Sequence, residues 1–240
     1  MILPVSRNFR RRKALAHISG LVLFVGLFCG GLGAQQNPAS PSAPTVSFTL
    51  DFPQSEPSHY EISVARDGAA SYQSNGKLTL DSDVTDPFEL HFTASAQTVD
   101  RVFDLAKRAR YFRGELDSKN RNLAFTGKKT LSYSEGSTRN QASYNYSPVA
   151  PVTELTQLFQ NLSTTLEYGH RLQYYHRYQK LALDAELKSM EQAQKDGTME
   201  EIAAIAPILQ SIVKDTSVMN VVRTRAQRIL ALAGLPLSAK

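Results

Sequence analysis

Near Pro148 the hydrophobic period of this 240-residue chain changes from two residues to 3.6. A period of two belongs to a half-buried strand, and a period of 3.6 to a helix with one apolar face. Before Pro148, Ser47-Phe48-Thr49-Leu50-Asp51-Phe52 alternates and puts Phe48, Leu50 and Phe52 on one side. Tyr60, Ile62 and Val64 repeat the pattern. Arg66-Asp67-Gly68 then predicts a hairpin turn into Ala70 and Tyr72, because Asp-Gly tolerates the positive φ of tight turns. Lys77–Leu80, Phe88–Phe92, Leu123–Phe125, Thr130–Tyr133 and Ala142–Tyr146 predict further strands, punctuated by Gly127 and Gly136. One helix interrupts them. Ser95 or Thr98 caps it, Val99, Val102, Phe103, Ala106 and Ala109 form its apolar stripe, and it stops by Gly114.

After Pro148 the stripe Val152, Leu155, Leu158, Phe159, Leu162 and Leu166 begins a long helix. The pattern continues through Leu172, Tyr175, Leu181 and Leu187 to Met190, either unbroken or interrupted near Gly169. Gly197 suits the left-handed residue that closes a helix. Thr198 and Glu201 match a capping box for the next one, lined by Ile202, Ile205, Leu209 and Ile212 and kinked at Pro207. Ser217 is the expected cap of a last helix through Val221, Val222, Ala226, Ile229 and Leu230, closed by Gly234 and Pro236. Strands followed by helices predict an α+β fold: an antiparallel sheet with one packed helix over 46–148, then a helical region over 149–236.

The N-terminus predicts export. Arg7, Arg10, Arg11, Arg12 and Lys13 precede an apolar run from Ile18 to Phe28, and small residues lead to Ala34. That order is the pattern of a signal peptide over 1–34, cut between Ala34 and Gln35. The apolar run, about 11 residues, is short of the ~20 needed to span a bilayer. Counted from Ala14 to Leu32 it approaches that length, so a retained anchor is the alternative. Phe28 is too bulky for lipidation at Cys29, and Arg11-Arg12 fits the twin-arginine pattern only loosely. Residues 35–45 (QQNPASPSAPT) form a Pro/Ser-rich linker.

Five of the 27 basic side chains lie within residues 1–34 and none of the 22 acidic ones does, which leaves a balanced mature chain. The basic character that would suggest nucleic acid belongs to the signal. Cys29 is the single cysteine, so the mature chain forms no disulfide and no thiolate metal site.

Tyr60-Glu61-Ile62-Ser63-Val64, followed by Asp67-Gly68, Tyr72 and a helix ending near Tyr111-Phe112, resembles a class of uncharacterised bacterial exported domains. The resemblance covers Ser47 to Leu166 and implies an α+β fold rather than an activity. Several members carry a Cys-Pro element before the tyrosine strand; Gln54-Ser55-Glu56-Pro57 stands there without cysteine. The helical pair from Thr198 to Gly234 resembles one unit of a helical-repeat array. A single unit cannot form a solenoid and is expected to pack on the long helix.

No metalloprotease motif, nucleophile elbow, phosphate loop or dinucleotide fingerprint is present, and no cofactor or metal is expected. His170 and His176, six apart, sit about 240° round a helix from each other and share no face. His59 and His91 are candidates to meet across the sheet with Asp51 or Asp67, which would suit an exported hydrolase. Asp81-Ser82-Asp83-Val84-Thr85-Asp86 has the alternating oxygens of a calcium loop, but Asp86 replaces its glycine and Phe92 its glutamate. Asn145 and Asn161 open glycosylation sequons, which mean little in a bacterial chain. Arg223, Arg225 and Arg228 suit the C-terminal half of the last helix through its dipole.

The strongest binding feature is the helix face with Arg171, Tyr174 and Tyr178, flanked by His170, Arg177 and Leu181. Tyrosine and arginine dominate interface hot spots. The expected function is a non-enzymatic envelope or periplasmic interaction module, with an envelope protein or cell-wall component as partner and no nucleic acid. The exported hydrolase is the alternative.

Overall fold

Among the described residues alternation produces six strands: β1 (Thr45–Asp51), β2 (His59–Ala65), β3 (Ala69–Gly76), β4 (Asp86–Thr93), β5 (Lys128–Glu135) and β6 (Thr138–Tyr144). They form one antiparallel sheet in the order β4-β3-β2-β1-β5-β6. The structure, a computed structural model, describes residues 43–77 and 85–236. The expected signal peptide with its Ala34–Gln35 cut, the linker up to Ser42, Leu78–Leu80 and Asp81–Asp83 lie outside the described residues. Thr45, counted with the linker above, already pairs with Ala65 and Ser134.

Register follows from side-chain polarity. Val46, Phe48 and Leu50 of β1 face Val64, Ile62 and Tyr60 of β2 on the buried side. A slip of one residue would turn this whole row into water. The outer face carries hydroxyls instead, and Ser63 bonds Ser71 at 2.7 Å. At the hairpin after β2, Gly68 has φ 93°, as the Asp-Gly pair predicts.

Leu123–Phe125 does not become a strand; both ends of it are exposed. Polar groups hold this loop in place of a ladder. The Asn145 amide donates to the Ala124 carbonyl (3.0 Å), and the buried Lys129 ammonium donates to the Thr126 and Asn145 carbonyls (3.1 and 3.0 Å).

Among the described residues five α-helices complete the fold, with short 3-10 turns between them: α1 (Ala96–Arg108), α2 (Ala150–Tyr178), α3 (Leu183–Lys195), α4 (Ala206–Lys214) and α5 (Asn220–Leu232). Ser95 caps α1 by accepting from the Thr98 N–H. After α1 the residues Arg110, Tyr111 and Phe112 are left-handed, a conformation that costs L-residues about 1–2 kcal/mol each. Burial of Phe112 and the tilted contact of the Tyr111 ring with Tyr133 (4.4 Å) hold the turn. Sheet and helices share one hydrophobic core, so the change of pattern at Pro148 marks a change of element, not a gap in packing.

Several helix boundaries differ from expectation. The long helix breaks at Gln179, not at Gly169. Gly169 is instead a point of close approach: a Cβ there would lie 3.0 Å from the Ile205 Cβ and nearer still to its Cγ2. Thr198 and Glu201 form no capping box. Thr198 Oγ1 bonds back to the Ala193 carbonyl, and Glu201, left-handed at φ 55°, reaches across to cap α1 through the Ser95 N–H (3.0 Å) and Oγ (2.9 Å). Pro207 opens α4 rather than kinking it, since its missing N–H is unneeded in a first turn. Met219, not Ser217, precedes α5, because Ser217 is engaged by Asp215.

Alanine normally stabilises a helix by about 1 kcal/mol relative to glycine. Gly169→Ala is expected to do the reverse, losing about 1–3 kcal/mol through overpacking against Ile205. Urea unfolding checks the sign, and a more stable variant would contradict the close approach.

Candidate interaction surface

The α2 helix crosses the sheet, and its contacts meet the strands in spatial order. Thr156 bonds the Tyr144 hydroxyl of β6. Phe159 stacks on Phe48 of β1 with centroids 5.4 Å apart and planes 3° from parallel. Ser163 lies 3.0 Å from the Tyr72 hydroxyl of β3, and Glu167 accepts from Tyr72 and from Ser74, each at 2.7 Å. His170 stacks on Phe88 of β4 at 4.1 Å, with Nε2 3.1 Å from Asp86 Oδ2.

His170 thus lies beneath the last strand of the sheet. Eight further residues, about 12 Å at 1.5 Å each, carry the helix to Tyr178 beyond that edge. At 100° per residue, Thr156, Phe159, Ser163, Glu167 and His170 lie within about 40° of one line. Tyr174 and Arg177 continue that line, and Tyr178 sits about 60° round from it. The stripe that supports the sheet therefore runs on as Tyr174, Arg177 and Tyr178, where no described strand lies above it.

These three groups organise each other. The Tyr174 and Tyr178 rings are 5.2 Å apart, and the Arg177 guanidinium lies 5.2 Å over Tyr178. Tyr174 is half-buried, Arg177 is exposed and Tyr178 is 62% exposed. Arg171 departs from the expected face. Its Nε donates to Glu186 at 2.7 Å and its guanidinium stacks over Tyr168, so it ties α2 to α3. The helix back is occupied by the other helices, through Gly169 on Ile205 and His176 on Asp215.

A polar node fixes the end of α2. Asp215 accepts from Lys180 Nζ at 2.7 Å and lies 3.0 Å from His176 Nε2. Hydrogen bonds from Lys180, then Ser217, hold its carboxyl well below the usual carboxylate range. Lys180 also bonds Ser217, and Arg225 pairs with Asp184 at 3.5 Å. Leu181 lies between these two cross-links to the segment that carries Met219 and Val221. Tyr178, Leu181, Met219 and Val221 are four of the eight exposed large apolar side chains among the described residues, and they belong to the two segments that these cross-links join. Met219 and Val221 escape sequence reasoning because helical periodicity assigns Val221 to the apolar stripe of α5.

Sequence reasoning also missed Glu167, whose one signal is a carboxylate directly after Leu166 of the apolar stripe. Burial pushes its carboxyl up, but the bonds from Ser74 and Tyr72 and the neighbouring His170 outweigh burial and hold it below its ordinary value. Burial, and then the Glu167 charge, pushes the Tyr72 phenol up, which keeps it a donor.

His59 and His91 are not brought together. Both point from the outer face, but His59 sits at the start of β2 with Nδ1 2.6 Å from Asp51, whereas His91 lies at the far end of β4 beside Glu89 (3.1 Å). Asp67 accepts from the Ala69 N–H in the hairpin turn. Asp86, the described end of the acidic loop, pairs with His170. Arg225 and Arg228 do not serve the α5 dipole; they donate to Glu191 of α3 at 2.7 and 2.9 Å, while Arg223 donates to the Val213 carbonyl. Among the described residues no three His, Cys, Asp or Glu side chains gather as a metal site, and no helix is long and apolar enough to cross a membrane. Compared with family models and with curated proteins, the chain matches none.

Proposed function

We propose that the chain is an exported, non-enzymatic interaction module of the bacterial envelope that docks a protein partner on the projecting end of α2. The observation that carries this reading is the uncovered continuation of the sheet-supporting stripe as Tyr174, Arg177 and Tyr178, with exposed Leu181 following in the chain and exposed Met219 and Val221 on the segment that Lys180 ties to it. Scattered exposed apolar residues are ordinary, but a cluster with aromatic and arginine members marks an interaction surface. The Asp215 node holds this surface in place before a partner arrives, which lowers the entropy lost on binding. The export pattern of residues 1–34 supports a surface that works outside the cytoplasm.

Tyr174→Ala with Tyr178→Ala is expected to leave the fold intact and to weaken partner binding at least about tenfold. Crosslinking in cells followed by mass spectrometry measures the recovery. Unchanged recovery of the partner from the double variant contradicts the proposal.

A further inference from the structure

We infer that the partner docks as an extended strand added to the free edge of β4, lying over Tyr174 and Tyr178. This rests on the docking reading above and adds the form that the partner takes.

β4 ends the sheet, and β3 is the one described element with which it shares an extended contact. Its free edge is competent for pairing. The Ala94 N–H donates to the Gly68 carbonyl, so in the antiparallel register Phe92, Leu90 and Phe88 bond inward to β3. The alternate residues Thr93, His91 and Glu89 then point their N–H and C=O groups outward. Pro87 shares that parity, and its lack of an N–H leaves the inner ladder whole.

The free edge also has an unfinished apolar row. Phe88, Leu90 and Phe92 face the helices but are only half-covered, unlike the fully buried Phe48, Ile62 and Tyr72 of the central strands. A seventh strand would sit about 4.8 Å beyond β4. The projecting end of α2 reaches about 12 Å past His170, so it would support that strand as His170 supports β4. Inward side chains of the added strand would rest on Tyr174 and Tyr178 and complete the row. Outward ones would lie beside Glu89, which favours a basic residue at that position.

The occupant is therefore an extended segment of another protein, alternating apolar residues with polar or basic ones, as in strand-addition complexes. A second copy fits poorly. Its other free edge, β6, would turn Thr138, Asn140 and Ala142 onto the tyrosines. Pairing β4 with β4 would drive the two projecting helices into each other.

The test uses the purified mature chain and a library of nine-residue peptides with apolar side chains at alternate positions. Selected peptides are expected to slow hydrogen exchange at the Glu89, His91 and Thr93 amides. Affinity is expected to fall at least tenfold with Tyr174→Ala/Tyr178→Ala and with His91→Pro, which removes an outward N–H while sparing the inner ladder. N-methylating the peptide backbone on its pairing side should cause the same loss with the protein untouched. Peptides sensitive to the tyrosine pair but indifferent to N-methylation, with no amide protection, overturn the strand inference and leave the docking surface standing. Peptides indifferent to the tyrosines as well overturn both, and a library without binders overturns strand addition.

Discussion

Glu167→Ala is expected to destabilise the protein by about 3–5 kcal/mol, because it removes the carboxylate to which the buried hydroxyls of Tyr72 and Ser74 both donate, leaving Tyr72 only the Ser163 hydroxyl. The side chain is 6% exposed, so the two hydroxyls lose a buried acceptor and not a solvated one. The same group sets part of the acid limb of stability. Its folded pKa lies below the ordinary 4.5, so its contribution is complete above about pH 4.5 and is lost as pH falls through the folded value. Glu167→Gln keeps an acceptor but cannot titrate. It should cost less at neutral pH and flatten the stability loss below about pH 4.5. Urea unfolding at several pH values measures both effects, and an acid limb unchanged by Glu167→Gln would contradict the assignment.

Phe159→Ala is expected to cost about 3–5 kcal/mol as well, through the cavity left against Phe48 at the centre of the sheet. Phe159 is fully buried and sits where α2 passes under β1. Because sheet and helices share one core, the loss should appear in both at once. Far-ultraviolet circular dichroism and tyrosine fluorescence should report coincident transitions for the variant. Separate melting of the sheet and the helices would show that residues 46–148 and 149–236 stand apart.

Much of this architecture is legible in local pattern. Alternation locates β1, β2 and β4, Asp67-Gly68 identifies the hairpin, and the stripe from Val152 to Leu166 announces α2. Local pattern fails where distant residues decide. Gly169 suggests a break, yet its missing side chain serves the approach of Ile205, 36 residues later. Thr198 and Glu201 have capping-box spacing, but Glu201 caps a helix more than a hundred residues away in sequence. Ser217 is drawn from its helix by Asp215 and Lys180. At the candidate surface, Tyr174, Arg177 and Tyr178 were recognisable by residue type. That they extend the sheet-supporting line of α2 follows only from the contacts of Phe159, Glu167 and His170 with successive strands. Arg171 shares their spacing, but Glu186 of the next helix takes its guanidinium.

The projecting end of α2 is tested most directly by a photoreactive side chain placed at Tyr178 in cells that produce the protein. A second sample carries it at Phe125, which is 58% exposed and belongs to the loop before β5. A discrete crosslinked partner at position 178, absent at position 125, is the predicted result. No adduct at 178, or the same set of adducts at both positions, would contradict the docking surface.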